Sequence, residues 1–236
     1  MTATFFAPGD LWVQTHTGVA FDLLAPTAAM VRAEDLTHTL AYLPRFGGSL
    51  RTHYSVAQHS VLCAALVWRR TRDRNAALVA LLHDAHEAYT GDIKGPVKAL
   101  IETWAPGKLG EIERGIDAAI HAWAGVLEYG PEVTAEVKRA DRELLIWERD
   151  RWLGPPARPW FCEGVRRLTF ADFGDVGAYD LGALDSSDAN VLFGGLLSRL
   201  IDDTRPLWGG AVLGKMFTGL GEERGRPVGT MSTGQR

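Results

Sequence analysis

Four side chains that can bind a metal ion are spread along the chain: His59, the adjacent pair His83 and Asp84, and Asp141. Imidazole nitrogens combined with carboxylates suit a divalent transition metal, which can turn a bound water into a nucleophile. For any one of these residues, a hydrogen-bonded core histidine or an arginine-paired aspartate is the simpler interpretation. For four together, with a contiguous His-Asp doublet among them, we expect a metal site.

Predicted helices position the first three of these residues. The segment Ser55-Val-Ala-Gln58 has the pattern of a capping box, and the helix that it opens places His59 on its apolar, inward side. Asn75 is predicted to cap the next helix, Ala76 to Tyr89, which is apolar almost all round until His83. We therefore expect this second helix to cross the middle of the domain.

A third predicted helix carries the last ligand. Pro131 suits the first position of a helix that runs to Trp152, and Asp141 falls on its apolar stripe. A polar group buried there without a partner costs about 2 to 7 kcal/mol. A shared cation would provide that partner for the histidines and the carboxylates together.

The rest of the chain predicts an all-α fold with a single core. Apolar spacing indicates further helices over Glu34 to Leu43, Gly110 to Leu127 and Asp188 to Ile201, and Pro96 starts a short turn. Residues 1 to 31 are expected to form an irregular or hairpin arm, and residues 32 to 153 the helical core. Residues 154 to 221, including an apolar stretch from 209 to 220, are expected to pack on this core as an extension, and residues 222 to 236 to form a disordered tail.

Composition excludes several classes of function. Of the 236 residues 46% are hydrophobic, and the formal net charge of −4 makes binding to duplex nucleic acid or to a membrane surface a weak interpretation. No apolar run approaches the roughly 18 residues of a membrane span. The start of the chain lacks the features of a signal peptide, and Cys63 and Cys162 do not form a zinc pattern. We expect reduced cysteines and a cytoplasmic location.

The order of these motifs resembles the HD-domain metal-dependent phosphohydrolases. The stretch from His83 to Lys98, HDAHEAYTGDIKGPVK, is most similar to the bacterial 5'-deoxynucleotidase branch, to which phage enzymes that remove triphosphate from dATP are related. Further matches cover about residues 32 to 152; they are Arg45-Phe46, Arg51-Thr52, Ser55 to Ser60 and Lys138 to Asp141.

The resemblance implies a ligand set and a catalytic pair. His59, His83, Asp84 and Asp141 would hold one divalent ion, which could be cobalt, manganese, zinc or magnesium. Glu87 would act with Asp84 in catalysis by orienting or deprotonating the attacking water. The spacing supports this role, because a residue three after Asp84 lies on the same side of a helix. A His-Glu-x-x-His zinc protease motif is excluded, since Thr90 occupies the place of the second histidine.

The resemblance also implies residues that bind substrate. Arg45 would grip a 5'-phosphate, and Lys98 and Lys138 would approach it, although each lysine could be a surface charge. Phe46 stands where the family usually has a tryptophan against the sugar, which leaves preference for deoxyribose open. Asp92 would accept the 3'-hydroxyl, with a simple turn residue as the alternative. Pro96 completes the set of expected substrate contacts.

The expected protein is therefore an all-α HD-domain helical bundle that cleaves 5'-phosphate from deoxynucleoside monophosphates with a metal-activated water. The first alternative is a deoxynucleoside triphosphate triphosphohydrolase on the same site. The second is an inactive HD module that binds a nucleotide. The resemblance further implies homo-oligomers, and the partners are expected to include a small nucleotide and neither duplex nucleic acid nor membrane.

Overall fold

The computed structural model describes residues 10 to 160, 162, 164 to 173 and 182 to 202. Within them the protein is mostly helical, with one antiparallel hairpin formed by β1 (Trp12–Gln14) and β2 (Ala20–Asp22). The all-α fold and the hairpin in the N-terminal arm are confirmed. The first nine residues of that arm, the apolar stretch 209 to 220 and the predicted tail 222 to 236 lie outside the described residues.

The helices follow the predicted order. They are α1 (Ala33–Tyr42), α2 (Val56–Thr71), α3 (Arg74–Leu82), α4 (Glu87–Thr90), α5 (Gly95–Trp104), α6 (Lys108–Ala124), α7 (Pro131–Trp152) and α8 (Ser186–Ile201). The helix predicted from Pro131 to Trp152 has those bounds, and the other helical predictions outside α3 to α5 agree to within a few residues at each end. A 3-10 turn, Arg45–Gly48, precedes α2.

Helix α2 is the centre of the core. Every residue from Val56 to Val67 is buried, and the helix packs against α1, α3, α7 and α8. The Ser55 half of the predicted capping box forms, because the Ser55 Oγ accepts a hydrogen bond from the Gln58 N–H at 3.2 Å. The Gln58 side chain in turn bonds the backbone of Gly182 and Leu184, just before α8, which ties the last described helix to the core.

The predicted helix from Ala76 to Tyr89 is wrong in one respect. It is broken, with α3 ending at Leu82 and α4 beginning at Glu87. Between them the backbone is tightened: the Ala85 N–H donates to the Leu82 carbonyl and the Glu87 N–H to the Asp84 carbonyl, each at 3.0 Å. In a turn of about three residues, side chains at i and i+3 are aligned, so Asp84 and Glu87 share a side.

The predicted cap of this helix is also wrong. Asp73, not Asn75, caps α3, because its Oδ1 accepts from the Ala76 N–H at 3.1 Å. Asn75 instead exchanges two hydrogen bonds with the backbone of Leu127, at 3.0 and 2.9 Å. Sequence spacing alone does not separate two capping side chains that lie two residues apart, and the long-range contact decides between them.

Helix α5 is longer than the short turn predicted at Pro96. It has ten residues, with the proline in its first turn, where the missing N–H costs no intrahelical hydrogen bond. No helix in the described part of the chain is long and apolar enough to cross a membrane.

The cap of α3 can be tested directly. We expect Asp73→Ala to lower the free energy of unfolding by about 1 kcal/mol, because the first turn of α3 loses a side-chain acceptor. Asp73→Ser should keep most of the stability, since a hydroxyl also caps. Urea denaturation measures both values; equal losses in the two variants would contradict the assignment of the cap.

Candidate metal centre

Two imidazoles and a carboxylate meet where α2 faces the end of α3. His59, His83 and Asp84 each offer a ligand atom, these atoms lie within 4.8 Å of one another, and the group could hold a metal ion. The two Nε2 atoms are 3.3 Å apart, and His83 Nε2 lies 3.3 Å from the Asp84 Oδ2. Two ligands of one first-row ion, each about 2.1 Å from it, are themselves about 3 to 3.4 Å apart.

Asp141 reaches the same group from α7. Its Oδ1 lies 3.3 Å from the His59 Nε2 and 3.9 Å from the His83 Nε2. Its side chain is more exposed than those of the other three residues. The structure therefore brings together all four residues that the sequence predicts as ligands, from three separate segments.

A buried carboxylate behind the cluster orients His59. Glu148, from α7, is completely buried, and its Oε1 accepts hydrogen bonds from the Tyr54 hydroxyl at 2.8 Å and the His59 Nδ1 at 2.6 Å. Its other oxygen lies 3.5 Å from the Arg45 Nη2. Burial opposes ionisation of Glu148, but His59 and Arg45 outweigh it and hold the pKa of this carboxyl below its usual range.

These contacts decide which nitrogen of each histidine is free. The Ala80 carbonyl, 2.8 Å from the His83 Nδ1, can only accept, so that Nδ1 donates. The ionised Glu148 makes the Nδ1 of His59 a donor in the same way. In their neutral forms both rings then direct an Nε2 lone pair toward the same space, the arrangement found when a second carboxylate or carbonyl orients a metal-binding histidine. The residues fit a bound cation.

The charges of the cluster support the same fit. Burial lowers the pKa of His83, but Asp84 and Asp141 outweigh it and raise the pKa to about 9. Burial raises the pKa of Asp84, yet His83 and Arg45 hold it well below its usual range. The cluster thus favours added positive charge, which either protons or a cation can supply.

A cavity of about 450 Å³ opens beside the cluster. Its volume falls within the range of small-molecule sites. Asp84 and Asp141 form part of its wall, together with these residues predicted to bind substrate or catalyse: Arg45, Phe46, Glu87, Asp92, Pro96 and Lys98. The structure therefore brings eight of the residues predicted from the sequence to the wall of one cavity.

Three buried polar atoms in this cavity lack hydrogen-bond partners among the described residues. They are the Arg45 Nε, the Glu87 Oε2 and the Asp92 Oδ2. Burial, together with repulsion from Asp84 and Asp92, raises the pKa of Glu87 to about 9. Unsatisfied buried groups are rare in folded proteins, and a cluster of them beside a cavity is typical of a site that receives a ligand or ordered water.

The two lysines predicted to bind phosphate lie in different cavities. Lys98 lines the cavity, and its Nζ pairs with the Glu113 Oε1 at 3.0 Å. Lys138 is exposed and lines a different cavity with Arg139 and Arg142. The structure therefore does not bring Lys138 to the candidate site, although it lies one turn from Asp141.

Among the residues of the site that were not predicted, three bear on its chemistry. Lys94 and Trp160 line the cavity, and Glu148 supports the cluster from behind. A signal for Glu148 was present, because it follows Asp141 by seven residues and so lies on the same face of α7. Trp160 follows the helix in an irregular segment, where no periodicity could indicate its direction.

Two relatives match part of the chain. The uncharacterized protein YfdR of Escherichia coli is 39% identical over 115 residues, which are 49% of this chain and 57% of YfdR. An uncharacterized protein of Rhodobacter capsulatus is 37% identical over 133 residues, which are 55% of this chain and 64% of that protein. The chain thus spans less than two thirds of the length of either relative. No family model matches it.

The role of Glu148 can be separated from general stability. We expect Glu148→Gln to weaken binding of a divalent cation about 10- to 100-fold, because His59 loses the carboxylate that orients its ring and favours its Nε2 lone pair. Calorimetric titration with manganese or cobalt measures this.

Glu143→Gln is the matched control. Glu143 is also a buried carboxylate of α7, but it pairs with Arg70 away from the cluster. We expect this variant to lower the melting temperature without changing the affinity for the cation. An equal loss of affinity in both variants would contradict the specific role of Glu148.

Proposed function

We propose that the protein is a metal-dependent phosphohydrolase that releases the 5'-phosphate of deoxynucleoside monophosphates. One observation carries the proposal: a single cavity is lined by carboxylates of the metal cluster, by the unpaired Glu87 and by the cations Arg45 and Lys98. A phosphate ester needs these three kinds of group, one to activate water, one to accept its proton and one to bind negative charge.

The proposed ligands are His59, His83, Asp84 and Asp141, and their mixed nitrogen and oxygen donors suit cobalt, manganese or zinc, with magnesium as a further possibility. A divalent cation bound by them would supply Lewis acidity and would lower the pKa of a water molecule to roughly 7. The cluster lies at the cavity wall, so the chemistry takes place where a ligand can enter.

Glu87 is the proposed proton acceptor, because a cation held by the cluster would lower the raised pKa of this carboxyl and favour the ionised form that takes up a proton. Its Oε2 is buried without a partner, and the aligned turn from Asp84 to Glu87 keeps it beside the cluster. In the reaction, the oxygen of water forms a bond to phosphorus, its proton passes to Glu87, and the bond from phosphorus to the 5'-oxygen breaks. The same carboxylic acid can then return the proton to the departing 5'-oxygen, so the step balances.

Arg45 and Lys98 are the proposed phosphate ligands. Arg45 is buried and held from behind by Glu148 and from the side by Asp84, the latter at 3.1 Å. Its guanidinium is therefore already oriented before a ligand arrives, and its Nε has a hydrogen left to donate. A planar fork of donors that is fixed in advance suits the oxygens of a phosphate.

One observation favours the triphosphate alternative. Lys94 lies at the cavity wall, where its Nζ donates to the Ser49 Oγ at 2.9 Å, and no carboxylate of the described residues pairs with it. An unpaired cation beyond Arg45 and Lys98 could bind a second phosphate group. Hydrolysis of deoxynucleoside triphosphates to nucleoside and triphosphate therefore remains our second candidate.

Product analysis decides between the two candidates. The purified protein is incubated with dAMP, dATP and AMP in the presence of cobalt or manganese, and orthophosphate and triphosphate are quantified separately. We expect orthophosphate from dAMP. Triphosphate from dATP, with dAMP untouched, would favour the second candidate. Absence of any turnover together with retained nucleotide binding would identify an inactive binding module and contradict both.

Substitutions of Glu87 and of Asp84 should reduce activity for different reasons. We expect Glu87→Gln to lower kcat on dAMP about 100- to 10,000-fold while the affinity for the cation is kept, because only the proton acceptor is lost. Asp84→Ala should lose both activity and cation binding. The control is Glu34→Gln, an exposed carboxylate in the first turn of α1, which should behave like the unchanged protein. Full activity of Glu87→Gln would contradict its proposed role.

The phenylalanine at position 46 is expected to make the protein less selective for deoxyribose over ribose than a tryptophan would. The backbone of Phe46 has φ 56° and ψ 26°, a left-handed conformation that phenylalanine and tryptophan tolerate equally poorly, so exchange between them changes the side chain alone. We expect Phe46→Trp to raise the ratio of kcat/KM for dAMP to that for AMP, since the larger indole leaves less room for a 2'-hydroxyl. Steady-state kinetics on both substrates measures this ratio, and an unchanged ratio would contradict the prediction.

A further inference from the structure

Trp160 extends the candidate site beyond its predicted residues. It lies eight residues after the end of α7, in a segment without regular structure, and it is half-buried. Its ring lines the cavity beside the metal cluster, and its centroid is 6.5 Å from that of Phe46, with 42° between the ring planes. Two aromatic rings thus lie close together at the wall of one cavity.

A second cavity adjoins the first at Trp160. It has a volume of about 480 Å³ and shares Pro96, Leu145 and Trp160 with the cavity beside the metal cluster. Its other wall residues include Ile146 and Val165, so it is mainly apolar. The space beside the phosphate-binding residues is therefore charged at the cluster and apolar at the tryptophan.

The position of Trp160 is stabilised by Arg149. The guanidinium carbon of Arg149 lies 5.3 Å from the centroid of the indole ring, within the range of a cation–π contact. Arg149 is itself held by hydrogen bonds from its Nη1 to the Cys162 Sγ at 3.3 Å and from its Nε to the Asp150 Oδ1 at 2.8 Å. The ring is thus fixed from outside the cavity wall by a residue of α7.

The two rings form one aromatic surface at the cavity wall. Aromatic pairs in contact have centroids about 4.5 to 7 Å apart, and the 6.5 Å between the centroids of Phe46 and Trp160 falls within that range. A planar ring can stack on the Trp160 part of this surface while a sugar lies against the Phe46 part.

We propose that Trp160 forms the aromatic wall of a base slot, in which the heteroaromatic base of the substrate stacks on the indole. This inference rests on the proposed function and names the part of the substrate that the second cavity receives. Phe46 follows Arg45 directly, and the Arg45 guanidinium is 5.7 Å from the Phe46 ring. A nucleotide whose phosphate contacts Arg45 therefore has its sugar beside Phe46 and its base next to Trp160.

The test compares a substrate with a base and one without. KM is measured for dAMP and for 2-deoxyribose 5-phosphate with the unchanged protein, with Trp160→Ala and with Trp160→Phe. We expect Trp160→Ala to raise the ratio of KM for dAMP to KM for the baseless sugar phosphate about tenfold, because stacking of a base on an aromatic ring is lost. Trp160→Phe should restore most of the ratio, which a folding defect would not do.

Trp104→Ala is the matched control. Trp104 is 77% exposed on α5 and lines none of the cavities described above, so removal of its indole should leave the ratio unchanged. An equal rise of both KM values in Trp160→Ala, or no rise in either, would overturn the base slot while leaving the phosphohydrolase proposal intact.

A binding measurement keeps the two proposals distinguishable. If the unchanged protein hydrolyses neither compound, the phosphohydrolase proposal fails. Calorimetric titration of dAMP into Glu87→Gln, with and without Trp160→Ala, then tests the base slot without relying on turnover. Weaker binding by about tenfold in the double variant supports the slot, and equal affinities or no binding in either protein overturn it.

Discussion

The candidate site depends on one buried carboxylate, that of Glu148. It is completely buried in α7, and it contacts the ring of His59, the hydroxyl of Tyr54 and the guanidinium of Arg45. Leaving a buried charge without its partner costs about 3 to 5 kcal/mol. Ionised Glu148 therefore requires these contacts, and they in turn fix the ring of His59 and the guanidinium of Arg45 relative to each other.

This constraint explains how a charged site exists inside an all-α core. Arg45 bridges Glu148 and Asp84, and Asp84 contacts the two histidines, so charge alternates across the buried group. Each charge has a neighbour of opposite sign, which offsets the cost of removing it from water. Glu87, Arg45 and Asp92 each have a buried atom without a hydrogen-bond partner among the described residues, and all three residues line the cavity, where a ligand can reach them.

Patterns within one helix predicted much of this arrangement. The capping box at Ser55 and the helical spacing after it placed His59 inward, and Pro131 marked the first residue of α7. Predictions failed where the decision depended on a neighbour far along the chain. Asn75 forms a hydrogen bond with the Leu127 backbone and does not cap the helix. Lys138 lines another cavity, although it lies one turn from Asp141. The break between α3 and α4 falls within His83-Asp84-Ala85-His86. This segment contains no glycine or proline, so the sequence carried no signal of a helix end there.

The sequence by itself determined the fold class, most helices and the types and order of the residues that could bind a cation. These follow from periodicity and local hydrogen bonding, which act over a few residues. Only the tertiary structure decided that Glu148 orients His59, 89 residues earlier, and contacts Arg45, 103 residues earlier. It alone placed Trp160 in the wall of the cavity that Arg45 also lines. Such contacts depend on how helices pack against each other, and packing is set by the whole core at once.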